Sequence, residues 1–390
     1  MPAARRSFAG ELNRLEAAAQ LRRLPGREDM AQMGVRIDGR EAILFSGNDY
    51  LGLSTHPEVK VAAERALAAH GSSAAASRLV SGNLSLYREL EENLARLKGK
   101  EASLVFSSGY LANLGALSAL GGREDIFFMD RLNHASLYDG WRLSSAGLRR
   151  YRHGDAGQLE ELLLKSAPAG SGMIVTDGVF SMDGDLAPLP DLARLAGRHG
   201  CLLIVDDAHG TGVIGPGGSG TAAHLGAAAD VEIGTLSKAA GSLGGFVAGG
   251  RELIDFLVNK ARPFIFTTGL PPASLAAANA SLMLFEREPW RRQRVLELAG
   301  SARAQLKAAG FNVPEGFTPI IPVITGSAES ALRLAGLCLK RGVFIPAIRP
   351  PAVPKNSARL RMTVSAAHSD EDLSLAIDVL TTSAEKMGII

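Results

Sequence analysis

The residue best suited to chemistry in this 390-residue chain is Lys238. It lies in the stretch Gly234-Thr-Leu-Ser-Lys238-Ala-Ala-Gly-Ser-Leu-Gly-Gly245, between hydroxyl residues and glycines and with no other charge nearby. The glycines put little side chain in the way of a ligand that approaches the backbone. A lysine in so apolar a setting is expected to have a lowered pKa, which suits an amine that forms a Schiff base. The alternative is a glycine-rich turn with an exposed lysine at its tip.

A carboxylate and an imidazole, Asp206 and His209, follow a predicted strand at 202–205. All side chains of this strand are apolar, as expected in a parallel sheet that is covered on both faces. Ligands of open parallel sheets bind beyond the carboxyl ends of the strands. The two side chains could therefore address two atoms of one planar ligand. Metal ligation, or a capping Asp beside a surface His, would give the same pattern.

Other strand ends carry weaker signals of the same kind. Gly109 and Tyr110 come after one predicted strand and open a helix, and the free N–H groups of a helix N-terminus can bind an anion. His134 and Ser181 follow two further strands. A plain strand-to-helix turn, or a satisfied structural His or Ser, would look similar in the sequence.

The elements that must position these residues alternate between strand and helix. Short apolar runs predict strands at 102–106, 126–129, 173–176 and 202–205, with helices at 111–120 and 189–199 among them. Such alternation predicts an α/β domain around a mostly parallel central sheet, with helices on both faces. Before it, periodicity predicts helices at 11–24, 56–69 and 85–98 and a strand at 43–46.

The pattern changes after about residue 285. Helices are predicted at 288–309, 328–340 and 369–387, and short strands at 320–324, 343–347 and 360–364. We therefore expect an N-terminal helix and arm at 1–50, a large α/β domain at 51–285 and a smaller C-terminal α+β domain at 286–390.

Composition excludes several classes of protein. The formal net charge is +2 and the short basic cluster 149–153 is the kind found on a solvated rim, so neither nucleic acid nor a membrane surface is an expected partner. Two distant cysteines predict neither a disulfide framework nor a metal site. Since no signal peptide or membrane-length apolar run is evident, we expect a soluble protein in the cytoplasm.

Two motif matches suggest other chemistry, but the residues around each match do not fit the motif. The run Gly210–Gly215 matches a dinucleotide fingerprint, but Pro216 and the glycines after it would break the helix that this fingerprint requires. Thr235 and Lys238 have the spacing of a Ser-x-x-Lys hydrolase motif. However, the nucleophile position holds Thr, and no Lys-Thr-Gly element follows.

An anion-binding helix start, a strand-end Asp/His pair and an isolated lysine together suit pyridoxal 5'-phosphate. The sequence resembles the fold-type I enzymes of this cofactor, and more narrowly the α-oxoamine synthase family. The resemblance runs from Asn48-Asp-Tyr-Leu-Gly-Leu53 to Arg359-Leu-Arg361, and rests on three motifs: Val205-Asp-Asp-Ala-His-Gly210, Gly234-Thr-Leu-Ser-Lys238 and Phe264-Ile-Phe-Thr-Thr268.

This resemblance implies a role for each residue of the cofactor site. Lys238 would bind the cofactor covalently and later remove the α-proton of the amino acid. Asp206 would face the pyridinium nitrogen, His209 the phenolic oxygen and His134 the ring face. The remaining cofactor contacts implied are Gly109, Tyr110, Ser181, Thr235 and Thr267, the last reaching the phosphate from the second subunit of a homodimer.

The resemblance also implies the substrates. Leu132-Asn-His-Ala-Ser136 and Asp139-Gly140 favour the member that condenses L-alanine with a pimeloyl thioester, carried on CoA or a carrier protein, in biotin synthesis. Arg361 would bind the amino-acid carboxylate, and Arg22 and Ala352 match acyl-substrate positions. Members that use glycine with acetyl-CoA or succinyl-CoA remain alternatives, because Ala74-Ala75-Ala76 replaces a glycine-rich run and Ala352 replaces a threonine.

Overall fold

The computed structural model describes residues 8–29, 33–166 and 169–390. The described chain divides into two compact units, one formed by Asn48–Val295 and the other by the residues up to Gly47 together with Leu296–Ile390. The start of the predicted N-terminal segment, residues 1–7, lies outside the described residues.

The strands are β1 (Arg27–Asp29), β2 (Gly34–Ile37), β3 (Arg40–Leu44), β4 (Ala102–Phe106), β5 (Ile126–Asp130), β6 (Gly147–Tyr151), β7 (Gly172–Asp177), β8 (Leu202–Asp206), β9 (Val231–Thr235), β10 (Gly245–Gly249), β11 (Ile320–Gly326), β12 (Val343–Phe344), β13 (Ala347–Ile348) and β14 (Ala358–Thr363). The helices are α1 (Ala9–Ala17), α2 (Pro57–His70), α3 (Ser85–Lys98), α4 (Gly109–Leu120), α5 (Ala135–Leu143), α6 (Ala156–Lys165), α7 (Leu189–His199), α8 (Thr221–His224), α9 (Arg251–Lys260), α10 (Arg262–Ile265), α11 (Pro272–Arg287), α12 (Trp290–Ala308), α13 (Ala328–Lys340) and α14 (Asp370–Glu385). No helix in these described ranges is long and apolar enough to cross a membrane.

The unit of Asn48–Val295 is built on a seven-stranded sheet with the order β4-β10-β9-β8-β7-β5-β6. The strands β6, β5, β7, β8 and β9 run parallel. Only β10 runs antiparallel to its neighbours β9 and β4. The carboxyl ends of β4, β5, β7, β8 and β9 therefore meet at one edge, which is where the predicted site residues follow.

Helices cover both faces of this sheet, as predicted. Successive residues of one strand point to opposite faces of the sheet, and the successive residues Phe127 and Phe128 of β5 enter two separate cores. Phe127 packs in a core that includes residues of α4, α5 and α9. Phe128 packs in a second core, with residues of α6 and α7. This two-sided burial explains why the central strands are continuous apolar runs.

The other unit contains two smaller sheets. One has the order β1-β2-β3-β12, and the other is an antiparallel sheet with the order β11-β14-β13. The helix α14 begins with a capping box between Ser369 and Asp372, which satisfies N–H groups that a helix start leaves unpaired. An α+β arrangement was expected for this part of the chain.

Two predictions of local structure are wrong. The predicted helix 11–24 ends at Ala17, because α1 buries no side chain and Ala19 takes a positive φ of 54°. The predicted strand 343–347 is two strands in different sheets, since Pro346 between them has no N–H for a ladder. The basic cluster 149–153 has its arginines exposed, as expected of a solvated rim, and its Tyr151 is buried in β6.

Candidate active site

A cavity of about 270 Å³ lies at the carboxyl edge of the seven-stranded sheet. Eight of its wall residues were predicted from the sequence: Gly109, Tyr110, His134, Ser181, Asp206, His209, Thr235 and Lys238. Each follows or ends a different strand, except where two residues share one turn. The structure therefore brings together residues that are up to 129 positions apart in the sequence, from Gly109 to Lys238.

Lys238 lies in a turn between β9 and β10 that is closed by backbone hydrogen bonds. The N–H of Gly241 donates to the carbonyl of Lys238, and the N–H of Leu236 donates to that of Gly244. A Cβ on Gly241 would lie 2.4 Å from the backbone nitrogen of Ser54. The glycine is thus required by a close approach of the protein's own backbone. The Lys238 side chain is half-buried, and its Nζ lies 3.1 Å from His209 Nε2.

The turn after β8 holds Asp206 and His209 with their polar atoms in defined positions. Asp206 is 6% exposed and accepts hydrogen bonds from the N–H of Ala208 at 3.0 Å and from Asn113 Nδ2 at 2.6 Å. Nδ1 of His209 lies 2.7 Å from the hydroxyl of Tyr50, which is fully buried. The predicted carboxylate–imidazole pair therefore faces the same cavity as the lysine.

His134 precedes α5 and caps it, because its Nδ1 accepts the N–H of Ser136 at 3.3 Å. The side chain is exposed at the cavity wall, yet loss of water around the imidazolium lowers the pKa of His134. The charge of Asp206 opposes this decrease and that of Lys238 adds to it. His134 is therefore more readily neutral than an ordinary histidine.

Asp177 is a site residue that the sequence reasoning missed. It is the last residue of β7, lies directly opposite Asp206 in the ladder, and accepts the N–H of His134 at 2.8 Å. Burial and the charge of Asp206 raise the pKa of Asp177 well above its usual value. The rule that found Asp206, a carboxylate at the end of a buried strand, would also have found Asp177.

The start of α4 offers hydrogen-bond donors to an anion. Ser108 caps the helix by accepting the N–H of Leu111, which leaves the N–H groups of Gly109 and Tyr110 without a partner in the described part of the chain. A Cβ on Gly109 would come within 3.0 Å of the Thr235 side chain. Gly109 thus keeps open a small space that is lined by N–H donors and a hydroxyl, as a phosphate requires.

Thr267 lies elsewhere in the same unit. It lines a separate small cavity with Arg78, Tyr87 and Phe264, and it is not part of the wall around Lys238. The described chain alone therefore does not bring Thr267 to the cofactor site. The role predicted for Thr267, a phosphate contact from a second subunit, stays a prediction.

The predicted substrate residues belong to the other unit. Arg361 is buried in β14, and its N–H donates to the carbonyl of Pro346. Arg349 joins the segments of Arg22 and Ala352, since its guanidinium donates to the carbonyl of Leu21 at 2.7 Å and its own carbonyl accepts the N–H of Ala352. The substrate roles of Arg22, Ala352 and Arg361 stay predictions.

Comparison with known proteins now identifies the family. The model for aminotransferase class I and II matches residues 40–380. The chain belongs to this family. It is 47% identical to the 8-amino-7-oxononanoate synthase of Geobacter sulfurreducens, in an alignment that covers 99% of this chain and 100% of that one.

Solved structures confirm the fold-type I architecture. Serine palmitoyltransferase from S. paucimobilis, with bound PLP–myriocin aldimine, superposes with a TM-score of 0.94 at 30% identity and covers 98% of each chain. An 8-amino-7-oxononanoate synthase from Francisella tularensis gives a TM-score of 0.77 at 28% identity, over 89% of this chain and 99% of that one. The predicted resemblance to α-oxoamine synthases is confirmed by these similarities.

Proposed function

We propose that this protein condenses L-alanine with a pimeloyl thioester, on CoA or a carrier protein, to give 8-amino-7-oxononanoate, CO2 and the free thiol. The proposal rests chiefly on the full-length similarity to a synthase of that name. The cavity adds independent support, because Lys238, Asp206, His209 and His134 line it together. The reaction balances with one proton taken from solvent: a new C–C bond replaces the C–S bond, the bond to the alanine carboxylate breaks as CO2 leaves, the α-carbon regains the proton it lost, and the solvent proton ends on the thiol.

The residues present fit pyridoxal 5'-phosphate. The free N–H groups of Gly109 and Tyr110, with the Thr235 hydroxyl, would hold the phosphate. Asp206 would hold a proton at the ring nitrogen, since a buried carboxylate stabilises a neighbouring cation. When bound, the cofactor supplies an electron sink for the α-carbon of the amino acid.

The chain's own groups then move protons and orient the substrate. Lys238 would bind the cofactor's aldehyde carbon and, once released, take the proton from the α-carbon of alanine. His209, 3.1 Å from Lys238 Nζ, would donate to the phenolic oxygen beside that carbon. His134 would cover the ring face, and Arg361 would hold the alanine carboxylate through a bidentate contact.

A homodimer with a shared site is part of the proposal. Val80 and Phe266 are 80% and 70% exposed, and the segments that carry them are joined by the isolated bridge between Ser77 and Thr268. Large apolar side chains exposed together favour contact with another protein surface. Thr267 lies beside Phe266, and in the proposed dimer the second chain would be seated there with its own cofactor site near this Thr267. A cytoplasmic location stays a sequence prediction.

The decisive test is a panel of acyl thioesters against alanine, glycine and serine, following thiol release by the purified protein. We expect the pimeloyl thioester with alanine to react fastest. Faster reaction of glycine with acetyl-CoA would overturn the substrate assignment and leave the cofactor assignment intact. Absence of an absorption band at about 420 nm, where a lysine-bound cofactor absorbs, would overturn the cofactor assignment itself.

Mixed dimers test the shared site. Lys238→Ala and Thr267→Ala would be mixed, so that one site of each mixed dimer has both residues intact if Thr267 comes from the partner subunit. We expect mixing to restore one site with the wild-type cofactor affinity. If every active site in the mixture keeps the weakened affinity of Thr267→Ala, the two residues act within one chain.

A further inference from the structure

A continuous line of hydrogen bonds connects Asp206 to His134 through Asn113 and Ser136, which are themselves part of the cavity wall. Asn113 Nδ2 lies 2.6 Å from Asp206 Oδ2 and 2.8 Å from Ser136 Oγ. Ser136 Oγ in turn lies 2.7 Å from His134 Nδ1. Asn113 is 2% exposed and Ser136 is fully buried, so water does not compete for these bonds.

We propose that Asn113 and Ser136 are positioning residues that lock the imidazole of His134 in the tautomer with its proton on Nε2. Asn113 and Ser136 do no chemistry themselves, since both act through His134.

The carboxylate of Asp206 fixes which atoms donate and which accept along this line of hydrogen bonds. An ionised carboxylate can only accept hydrogen bonds, so the group of Asn113 that faces Asp206 must be its NH2. The second hydrogen of this NH2 then points to Ser136 Oγ. The amide cannot turn over, because that would place Asn113 Oδ1 against a carboxylate oxygen. Asn113 Oδ1 has no partner among the described residues, so the two hydrogen bonds donated by Nδ2 are the ones that hold the amide in this orientation.

The donor and acceptor roles at Ser136 then determine those at His134. Ser136 Oγ accepts from Asn113, so its own O–H is left to donate, and the His134 nitrogen is the acceptor within reach. The backbone N–H of Ser136 points at the same nitrogen from 3.3 Å. Two donors therefore converge on Nδ1, which must present a lone pair. In the neutral ring the proton is consequently on Nε2.

The reverse tautomer would leave a buried group without a partner. A proton on Nδ1 would need Ser136 Oγ as an acceptor, and the buried hydroxyl would then have no acceptor among the described residues for its own hydrogen. Leaving a buried donor unsatisfied is costly. The charged groups facing His134 are Asp206, Lys238 and Asp139, and Asp177 accepts its backbone N–H.

The consequence for catalysis rests on the proposed function. A His134 ring fixed in this way offers a lone N–H donor, on Nε2, to whatever lies in the cavity. It also ties the orientation of the ring to Asp206, the residue proposed to hold the cofactor's ring nitrogen. A histidine free to change tautomer would present a donor in one form and an acceptor in the other.

The test is 15N NMR of the histidine rings in the full-length protein without cofactor, with His134 assigned through His134→Asn. In the wild type we expect Nδ1 to show the shift of an unprotonated nitrogen and Nε2 that of a protonated one. In Ser136→Ala we expect the pKa of His134 to rise by about 0.5–1 pH unit, because protonation no longer breaks the bond to the hydroxyl. Asn113→Ala should raise it by a smaller amount.

Ser103→Ala is the matched control. Ser103 is a buried serine that gives one hydrogen bond, to the carbonyl of Glu91, and it lies outside the cavity wall. The Ser103→Ala change should cost a similar free energy of unfolding and leave the 15N shifts and the pKa of His134 unchanged. A protonated Nδ1 in the wild type, or an unchanged His134 pKa in both Ser136→Ala and Asn113→Ala, would overturn the proposal. Because no substrate or cofactor is used, this result is independent of the thioester panel.

Discussion

The neighbouring residues Asp206 and Asp207 belong to two different regions of the molecule, the cavity and a buried ion-pair cluster. Asp206 faces the cavity and has one donor on each carboxylate oxygen. Asp207 is fully buried and belongs to an ion-pair cluster, which we define as Lys98, Lys100, Asp207 and Glu232. Its oxygens receive four donors, from Lys98 Nζ, Thr211 Oγ1, and both the N–H and hydroxyl of Thr221. One carboxylate has capacity left for a ligand, and the other has none.

The same contrast separates two lysines. Lys238 Nζ lies beside an imidazole in an open cavity. Lys98 Nζ is fully buried, 2.6 Å from Asp207 and 3.1 Å from Glu232. Burial lowers the pKa of Lys98, but the charges of the two carboxylates outweigh burial and raise it overall. Lys98 thus has two buried carboxylate partners, whereas Lys238 has an imidazole beside it at the cavity. This difference predicts opposite consequences of mutation.

The largest effect is expected at the cavity lysine. Lys238→Ala should lower synthase turnover by at least about 1,000-fold, because it removes both the covalent attachment and the base. The melting temperature of the cofactor-free protein should stay close to that of the wild type. Steady-state thiol release and thermal unfolding measure the two quantities. A variant that keeps synthase activity would contradict the assigned role.

The ion-pair cluster should respond in the opposite way. Lys98→Met leaves Asp207 charged in a fully buried site, and loss of one partner from a buried ion pair costs about 3–5 kcal/mol of unfolding free energy. Denaturant unfolding of the cofactor-free protein measures this cost. The double variant Lys98→Met/Asp207→Asn should recover part of it, since the uncompensated charge is gone. A loss of turnover without any loss of stability would mean that Lys98 belongs with the cavity.

His153 also stabilises the fold through carboxylate partners, and its contribution to the free energy of unfolding depends on pH. Its ring bridges Asp130 at 3.2 Å and Asp185 at 2.8 Å. Burial alone would lower the pKa of His153, but the hydrogen bonds and charges of these carboxylates raise it to about 10. A raised folded-state pKa stabilises the protein fully below pH 6.5, the ordinary value, and the contribution is lost as the pH rises through about 10.

We therefore expect His153→Asn to destabilise the protein by about 1–3 kcal/mol at pH 6, with a difference from wild type that shrinks toward zero above pH 10. Urea unfolding of both proteins across this range measures it. A difference that stays constant with pH would show that the stabilisation does not depend on the charge of His153.

The smallest effect is expected in a turn outside both regions. Ala75 is exposed and has a φ of 56°, a conformation that costs a non-glycine residue about 1 kcal/mol. Ala75→Gly should raise the unfolding free energy by about 0.5 kcal/mol, because the relief of strain exceeds the entropy lost by glycine. Ala76→Gly is the matched control, and should lower it. Equal effects of the two changes would exclude backbone strain at Ala75.

Much of the site could be predicted because strand ends are readable in sequence. Asp206 and His209 follow an all-apolar run, and Lys238 stands alone among glycines, so residue type and position gave the same answer. Asp177 was missed although it obeys the same rule. Asn113 and Ser136 could not be found in this way, since an amide inside one helix and a hydroxyl in the first turn of another leave no periodic signal.

The fold was predictable where hydrophobic periodicity was strong. Helix α3 was predicted with its observed bounds, because its leucines recur at helical spacing and Gly99 ends it in the left-handed conformation. β9 and β10, which flank Lys238, were not predicted. Glycines occupy the ends of β10, and its reversed direction is set by pairing with β4 and β9. The pairing with β4 joins residues more than 100 positions apart, which local patterns do not contain.

The central claim is that Lys238, and not another lysine, carries the cofactor. Reduction of the protein with borohydride after loading with pyridoxal phosphate, followed by peptide mapping, tests it most directly. We expect a single pyridoxyl group on the peptide that contains Lys238, and none in Lys238→Ala. Labelling of another lysine as the principal product, or no labelling of a protein that turns over substrate, would contradict it.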